Sequence, residues 1–208
     1  MNPPSVVVFD LGKVLVDFDY SIAAGKMTSR CKVIQAQGED LEDFLSRSPL
    51  LCQYETGLLT TEQFYRKVCA ATGFSGSLDE FGGPFSDIFV PIEPMIELQS
   101  TLRRQGVPRF IFSNTNELAV SHIRRSFPFF NTFDGYVFSY EHGAMKPDAR
   151  LYEVVERRTG KRGSEILYLD DRPENIATGT ARGWQVILHE TPEKSRAAIQ
   201  QFGLLAAH

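Results

Sequence analysis

Short apolar runs alternate with amphipathic segments along much of this chain. Val6–Phe9 and Arg109–Phe112 are apolar runs typical of central strands, and Glu93–Arg104 between them has apolar residues at helical spacing. Further strands are predicted at Tyr136–Ser139, Ile166–Leu169 and Gln185–Leu188. Further helices are predicted at Glu117–Ser126, Asp148–Arg158, Pro173–Ala181 and Pro192–Phe202. This alternation predicts an α/β fold with a doubly wound, Rossmann-like parallel sheet.

Residues 17–91 interrupt the alternation and contain no convincing β run. Helical periodicity is found in three stretches, Ile22–Thr28, Leu41–Leu45 and Thr61–Ala71. Thr60 and Gln63 have the spacing of a capping box at the start of the third stretch. Loops are expected where glycine and proline cluster, at Gly73, Gly76, Gly82, Gly83 and Pro84. We therefore predict an all-helical cap domain, residues 17–91, inserted into a core domain formed by residues 1–16 and 92–208.

Polar side chains follow the predicted strands at the points where those strands end. They are Asp10, Ser113 with Asn114, and Asp170 with Asp171, while Lys146 precedes a proline and a predicted helix. Because parallel strands end at one edge of their sheet, these groups are expected to converge there. Each group alone also fits a turn, a helix cap or an exposed loop. Together they favour phosphoryl transfer through an aspartyl intermediate with a divalent metal.

Each of these groups suits one part of that chemistry. The Asp10 carboxylate can attack phosphorus in line, and Lys146 can offset the charge on the transferring group. Ser113 and the neighbouring Asn114 can hold phosphoryl oxygens. Adjacent carboxylates such as the pair at 170–171 repel each other, and a bound Mg²⁺ relieves that repulsion.

Composition excludes several classes of function. The formal net charge is −4, and there is no basic stripe that would indicate nucleic-acid binding. No apolar run is long enough to span a bilayer, and the first residues lack the pattern of a signal peptide. Cys31, Cys52 and Cys69 form neither a disulfide framework nor a zinc pattern. We predict a cytoplasmic monomer or homodimer that binds neither nucleic acid nor membranes.

The motifs, in this order, resemble those of the haloacid dehalogenase (HAD) superfamily, with a helical C1-type cap between the first two. The first motif reads D-L-G-K-V at residues 10–14, the second is Ser113, the third is Lys146 and the fourth is the acidic pair. The resemblance implies that Asp10 is the catalytic nucleophile and a metal ligand, that Ser113 binds phosphate and that Lys146 is the family's lysine.

The same resemblance implies Mg²⁺ as the cofactor and names its ligands. Besides Asp10, the backbone carbonyl of Gly12 would bind the metal. Asp171 would be the direct carboxylate ligand from the fourth motif, with Asp170 beside it. Asn175 takes the last position of that motif, where many members have Asp.

Gly12 departs from the family's pattern. Most phosphatases of the superfamily have Asp here as general acid and base, and such proton transfer contributes about 10²–10⁴-fold. Three explanations stay open: the leaving group needs little protonation, the cap supplies the acid with Glu55 as a candidate, or turnover is poor. A D-L-G-x-V motif resembles a bacterial subgroup that includes phosphatases of glucose 1-phosphate, whose anomeric oxygen is a good leaving group.

The leading hypothesis is a Mg²⁺-dependent phosphatase for a small phosphorylated metabolite such as a sugar phosphate. Ser113, Asn114 and Glu55 are the predicted substrate-binding residues. The cap aromatic residues are expected mainly to form the cap core, with Tyr54 the first candidate if one of them faces the substrate; they are Phe44, Tyr54, Phe64 and Tyr65. Two alternatives stay open. A 2-haloacid dehalogenase also lacks the second Asp but needs no metal, so the acidic pair favours the phosphatase. A non-catalytic binding protein on the same scaffold is supported only by Gly12.

Overall fold

A five-stranded parallel sheet forms the centre of the molecule in the computed structural model, which describes residues 3–205 apart from the side chain of Ala36. The strands of the chain are β1 (Val6–Phe9), β2 (Val16–Phe18), β3 (Phe89–Pro91), β4 (Arg109–Ser113), β5 (Gly135–Phe138), β6 (Ile166–Asp170) and β7 (Gln185–Leu188). The central sheet has the order β5-β4-β1-β6-β7. The predicted doubly wound α/β fold is therefore confirmed.

Helices cover the sheet and form the segment between β2 and β3. They are α1 (Tyr20–Met27), α2 (Lys32–Gln37), α3 (Leu41–Arg47), α4 (Pro49–Glu55), α5 (Thr61–Thr72), α6 (Leu78–Ser86), α7 (Glu93–Arg104), α8 (Glu117–Ser126), α9 (Ala149–Thr159), α10 (Pro173–Ala181) and α11 (Pro192–Gln201). Between residues 3 and 205, no helix has the length and apolar character needed to cross a membrane.

Strand β1 is the middle of the sheet and is buried along its whole length. Val8 pairs with Phe110 on β4 and with Tyr168 on β6, so β1 is bonded on both sides. Its alternate residues enter two different apolar clusters, Val7 and Phe9 on one face and Val6 and Val8 on the other. A strand of continuous apolar residues is required here because helices cover both faces.

The helical insertion, α1–α6, has an apolar core of its own. Phe64, Phe81 and Phe85 pack together there, with Phe81 and Phe85 stacked at a centroid distance of 5.2 Å. Three of its helices lie at the predicted positions, and the capping box of Thr60 with Gln63 is present.

The prediction of loops at Gly82, Gly83 and Pro84 was wrong. These residues lie inside α6, where a second capping box, Ser77 with Glu80, stabilises the helix start. Phe81 and Phe85, on either side of these residues, are four positions apart and both buried. Their packing on one face of the helix stabilises it although glycine and proline disfavour a helix locally.

The sequence predicted no strand within residues 17–91, but two short strands, β2 and β3, lie at the ends of this segment. Strands β2 and β3 form an antiparallel ribbon in which Phe18 pairs with Phe89 and Val16 with Pro91. This ribbon joins the insertion to the sheet domain. Sequence periodicity missed it because each strand has three residues and its partner is distant in the chain.

Candidate active site

A cavity of about 450 Å³ lies between the carboxyl edge of the sheet and the helical insertion. Seven of the eight predicted site residues line it: Asp10, Gly12, Glu55, Ser113, Asn114, Lys146 and Asp171. The eighth, Asp170, is fully buried beside them. The tertiary structure thus brings together residues from three strand ends, from the loop between β5 and α9, and from one helix of the insertion.

Lys146 is buried between two carboxylates. Its Nζ lies 2.9 Å from Asp10 Oδ2 and 2.6 Å from Asp170 Oδ2, and it donates to the carbonyl of Phe112 at 3.0 Å. Asn114 positions the lysine backbone, because its Nδ2 donates to the Lys146 carbonyl at 3.0 Å and its Oδ1 accepts from the Lys146 amide at 2.7 Å. Both ends of the Asn114 amide therefore hold the lysine in place.

Asp10 and Asp170 differ in how much of their carboxylate faces the cavity. Asp170 accepts hydrogen bonds from Lys146, the Tyr168 hydroxyl, the Arg172 amide and the Asn175 side chain, so its oxygens are turned inward. Asp10 accepts from the Leu11 amide at 2.6 Å and lines the cavity. Such contacts suit a supporting role for Asp170 and a reacting role for Asp10.

Asp10, Asp170 and Asp171 form an acidic cluster in which one oxygen of each lies within 4.8 Å of the others. Burial raises the pKa of Asp10, an effect that Lys146 opposes and the charge of Asp170 reinforces. Burial and Asp170 likewise raise the pKa of Asp171. Burial acts in the same direction on Asp170, but the charge and hydrogen bond of Lys146, together with hydrogen bonds from Tyr168 and the Arg172 amide, lower that pKa.

Three carboxyl groups therefore share one ammonium at this edge of the sheet. An additional cation would favour the ionised form of all three, and closely spaced carboxylate oxygens are ligands that Mg²⁺ prefers. The residues fit this ion: Asp10 and Asp171 line the cavity, and Gly12 lies beside them.

Ser113 ends β4 with its side chain buried next to the cavity. Its hydroxyl donates a weak hydrogen bond to the Asn114 carbonyl at 3.3 Å. A bond of this length is easily exchanged for one to a ligand oxygen.

The insertion closes the cavity with residues that sequence reasoning mostly missed. Tyr54 is not among them: its ring stacks on Phe64 in the insertion core, and its hydroxyl accepts from the Leu118 amide at 3.2 Å. The expectation that the cap aromatic residues form the cap core is therefore confirmed for Tyr54 and Phe64, and Tyr54 is not the aromatic residue that faces the cavity. The aromatic rings that line the cavity are Phe18 and Tyr20. Both follow the first motif closely in the chain, which is the only sequence signal that pointed to them.

The family of haloacid dehalogenase-like hydrolases matches residues 4–183. The chain belongs to this family. Among characterised relatives, sesquiterpene phosphatase astK of Aspergillus oryzae is 28% identical over 142 residues, covering 67% of this chain and 71% of the relative.

Two further relatives differ in the reaction that their names describe. An (S)-2-haloacid dehalogenase of Pseudomonas putida is 23% identical over 191 residues, and the match covers 86% of this chain and 82% of the dehalogenase. A D-ribitol-5-phosphate phosphatase of Bacteroides thetaiotaomicron is also 23% identical over 191 residues, and the match covers 88% of this chain and 91% of the phosphatase.

The fold is shared with a solved HAD family enzyme, bt-2542 of Bacteroides thetaiotaomicron, in complex with magnesium and inorganic phosphate. The TM-score is 0.75 at 21% identity, covering 90% of this chain and 94% of the other. This HAD-family hydrolase therefore has the α/β core and the helical insertion seen in its relatives.

Proposed function

We propose that this hydrolase is a magnesium-dependent phosphatase that removes phosphate from a small phosphorylated metabolite through an aspartyl phosphate on Asp10. The observation that carries the proposal is the acidic cluster of Asp10, Asp170 and Asp171 beside a buried lysine. A phosphatase of this kind needs both a carboxylate nucleophile and a divalent ion to neutralise phosphoryl oxygens.

Magnesium, when bound by Asp10, Asp171 and the Gly12 carbonyl, would supply charge neutralisation at the phosphoryl group. The chain's own residues prepare the nucleophile. The Leu11 amide holds Oδ1 of Asp10 and the Lys146 ammonium holds Oδ2, so the carboxylate is fixed in orientation before substrate arrives.

The rest of the cavity would bind the substrate. Ser113 would bind a phosphoryl oxygen, and Asn114 and Glu55, which line the same cavity, would complete its polar wall. We further propose that residues 17–91 act as a cap domain over a core of residues 1–16 and 92–208, so that the insertion excludes water from the reaction. Relatives named as phosphatases of a sesquiterpene and of D-ribitol 5-phosphate support the reaction.

A sugar phosphate is the substrate class that we propose to test first. The D-L-G-K-V motif resembles that of phosphatases acting on glucose 1-phosphate, and Gly12 at its third position cannot act as an acid. An anomeric leaving group would tolerate that loss better than a primary alcohol. Faster release of phosphate from glucose 1-phosphate than from glucose 6-phosphate is the expected result.

A 2-haloacid dehalogenase is the second candidate, favoured by Gly12 and by the similarity to the Pseudomonas putida dehalogenase. That reaction also forms an ester on an aspartate but needs no metal. Metal dependence therefore separates the two candidates, and the acidic cluster favours the phosphatase.

The deciding experiment measures phosphate release from a panel of sugar phosphates and from p-nitrophenyl phosphate, with Mg²⁺ and with EDTA. Wild-type protein is expected to release phosphate only with Mg²⁺. Asp10→Asn should lower kcat by about 10⁴-fold or more, because the nucleophile is lost. Asp79→Asn, an exposed carboxylate on α6, is the matched control and should keep full activity.

Two outcomes would overturn the proposal. Phosphate release that is unchanged in Asp10→Asn would exclude the aspartyl intermediate. Release of halide from 2-chloropropionate in EDTA, with no phosphate release from any ester, would identify the dehalogenase instead.

A further inference from the structure

The space beside Gly12 is filled by an aromatic ring. A Cβ atom at residue 12 would lie 2.9 Å from Cε1 of Phe18, closer than such atoms approach in real structures. Phe18 is held in place from the other side, because it pairs with Phe89 in the β2–β3 ribbon and packs against the Tyr20 ring. Position 12 therefore has neither an acidic side chain nor the room for one while Phe18 keeps this position.

Three carboxyl groups line the cavity among the described residues: Asp10, Glu55 and Asp171. The first and the last belong to the acidic cluster at the sheet edge. Glu55 alone comes from the helical insertion, at the end of α4. It also lines a smaller adjoining space that reaches Gly12 and Phe18, so it lies on the side of the cavity from which the usual acid is missing.

The backbone around Glu55 is anchored to the sheet domain. The Ser139 hydroxyl donates to the Glu55 carbonyl at 2.5 Å and accepts from the Thr115 amide at 2.9 Å. Two residues later, Gly57 has a φ of +76°, and a side chain there would overlap the Tyr140 carbonyl. This close approach places the end of α4 against residues 139–140 after β5, so the backbone of Glu55 is anchored beside the cavity.

The surroundings of Glu55 suit a group that both gives and takes a proton. Burial raises its pKa to about 7, although a hydrogen bond from the Asn116 side chain acts in the opposite direction. A group with a pKa near the working pH is present in both protonation states and is an efficient acid and base. The charged and titratable groups that line the same cavity are Asp10, Lys13, Tyr20, Lys146, Asp171 and Arg172.

We propose that Glu55 is the general acid and base of this hydrolase, in place of the aspartate that the first motif lacks. The inference rests on the proposed phosphatase function. In the first step Asp10 attacks phosphorus, the bond from phosphorus to the alcohol oxygen breaks, and that oxygen takes the proton of the Glu55 carboxyl. In the second step the Glu55 carboxylate takes a proton from water, the water oxygen bonds to phosphorus, and phosphate leaves Asp10.

The test compares two esters of nearly the same shape, phenyl phosphate and p-nitrophenyl phosphate. The nitrophenolate ion leaves readily without a proton, whereas the phenolate ion is a poorer leaving group. The value of kcat/KM reports the first step, in which the alcohol leaves. In Glu55→Gln we expect kcat/KM for phenyl phosphate to fall about 10²-fold, and that for p-nitrophenyl phosphate to fall less than about tenfold.

Controls separate this role from a structural one. Glu62→Gln, an exposed carboxylate of the insertion, should leave both values unchanged. Glu55→Asp keeps an acid and should recover part of the activity on phenyl phosphate. Equal losses on both esters in Glu55→Gln, or no loss on either, would overturn the inference while leaving the phosphatase function established by the wild-type rates.

The pH profile provides a second readout. Because the acid must be protonated in the first step, kcat/KM of the wild type for phenyl phosphate should fall as the pH rises through about 7. That fall should be absent in Glu55→Gln. A profile that is the same in both proteins would also overturn the inference. If wild-type protein releases no phosphate from either ester, the proposed function itself has failed.

Discussion

The Phe18 ring limits the size of the side chain that position 12 can hold. The contact of 2.9 Å that a Cβ at residue 12 would make with the Phe18 ring predicts that Gly12→Ala destabilises the protein by about 1–3 kcal/mol. Urea unfolding measures this loss. Gly25→Ala, at an exposed position of α1 where a new Cβ meets nothing within 4 Å, is the matched control and should stabilise the protein slightly, as expected for alanine in a helix.

A double variant tests whether the Phe18 ring is what limits the side chain at position 12. Replacing Phe18 by Leu removes the ring atoms that the new methyl group would meet. Gly12→Ala in the Phe18→Leu background should therefore cost less than in the wild type, since neighbouring residues are not additive. If the two costs are equal, Phe18 is not the residue that keeps position 12 small.

Single residues also explain which site predictions could be made. Asp10, Ser113 and Lys146 were identified because each stands directly beside an apolar strand or a proline in the sequence. Phe18 and Tyr20 have no such marker, and their place on the cavity depends on the pairing of β2 with β3. The catalytic and metal-binding roles of the predicted residues stay predictions until the variants above are measured.

Helix α6 forms although it contains two glycines and a proline, so tertiary packing overrides local propensity there. Gly83 lies on the exposed face of this helix, and a Cβ there meets nothing within 4 Å. Gly83→Ala should raise the free energy of unfolding by about 0.5–1 kcal/mol, because alanine loses less conformational freedom in a helix. Denaturant unfolding checks this value.

Gly82 is the matched comparison one residue earlier. It is buried, and a Cβ there would lie 3.1 Å from Leu118 Cδ2 on α8. Gly82→Ala should lose the helical gain to this crowding and come out neutral or destabilising. Equal stabilisation by both substitutions would show that α6 does not pack on α8 as described.

The acidic cluster is expected to link metal binding to the stability of the folded protein. A ligand that binds only the folded state stabilises it, by about 2.7 kcal/mol at a concentration of 100 Kd. Since 1 kcal/mol shifts the Tm of a chain of this size by about 2–4 °C, saturating Mg²⁺ should raise the Tm by roughly 5–10 °C. Thermal unfolding followed by circular dichroism, with and without Mg²⁺, measures the shift.

The site variant Asp171→Asn should reduce this shift strongly, and EDTA should remove it. Asp79→Asn keeps the cluster intact and should show the full shift. A shift of the same size in Asp171→Asn would mean that the ion binds elsewhere.

Local sequence patterns were sufficient to predict the parallel α/β sheet and the convergence of Asp10, Ser113, Lys146 and Asp170 at one of its edges. These follow from local patterns, because an apolar run forms a buried strand and parallel strands end together.

Long-range packing produced the β2–β3 ribbon and the helical state of α6, and it brought Phe18 and Tyr20 rather than Tyr54 to the cavity. It also anchored the end of α4, and with it Glu55, against the sheet domain. Each of these depends on contacts between residues far apart in the chain, which leave no periodic pattern in the local sequence.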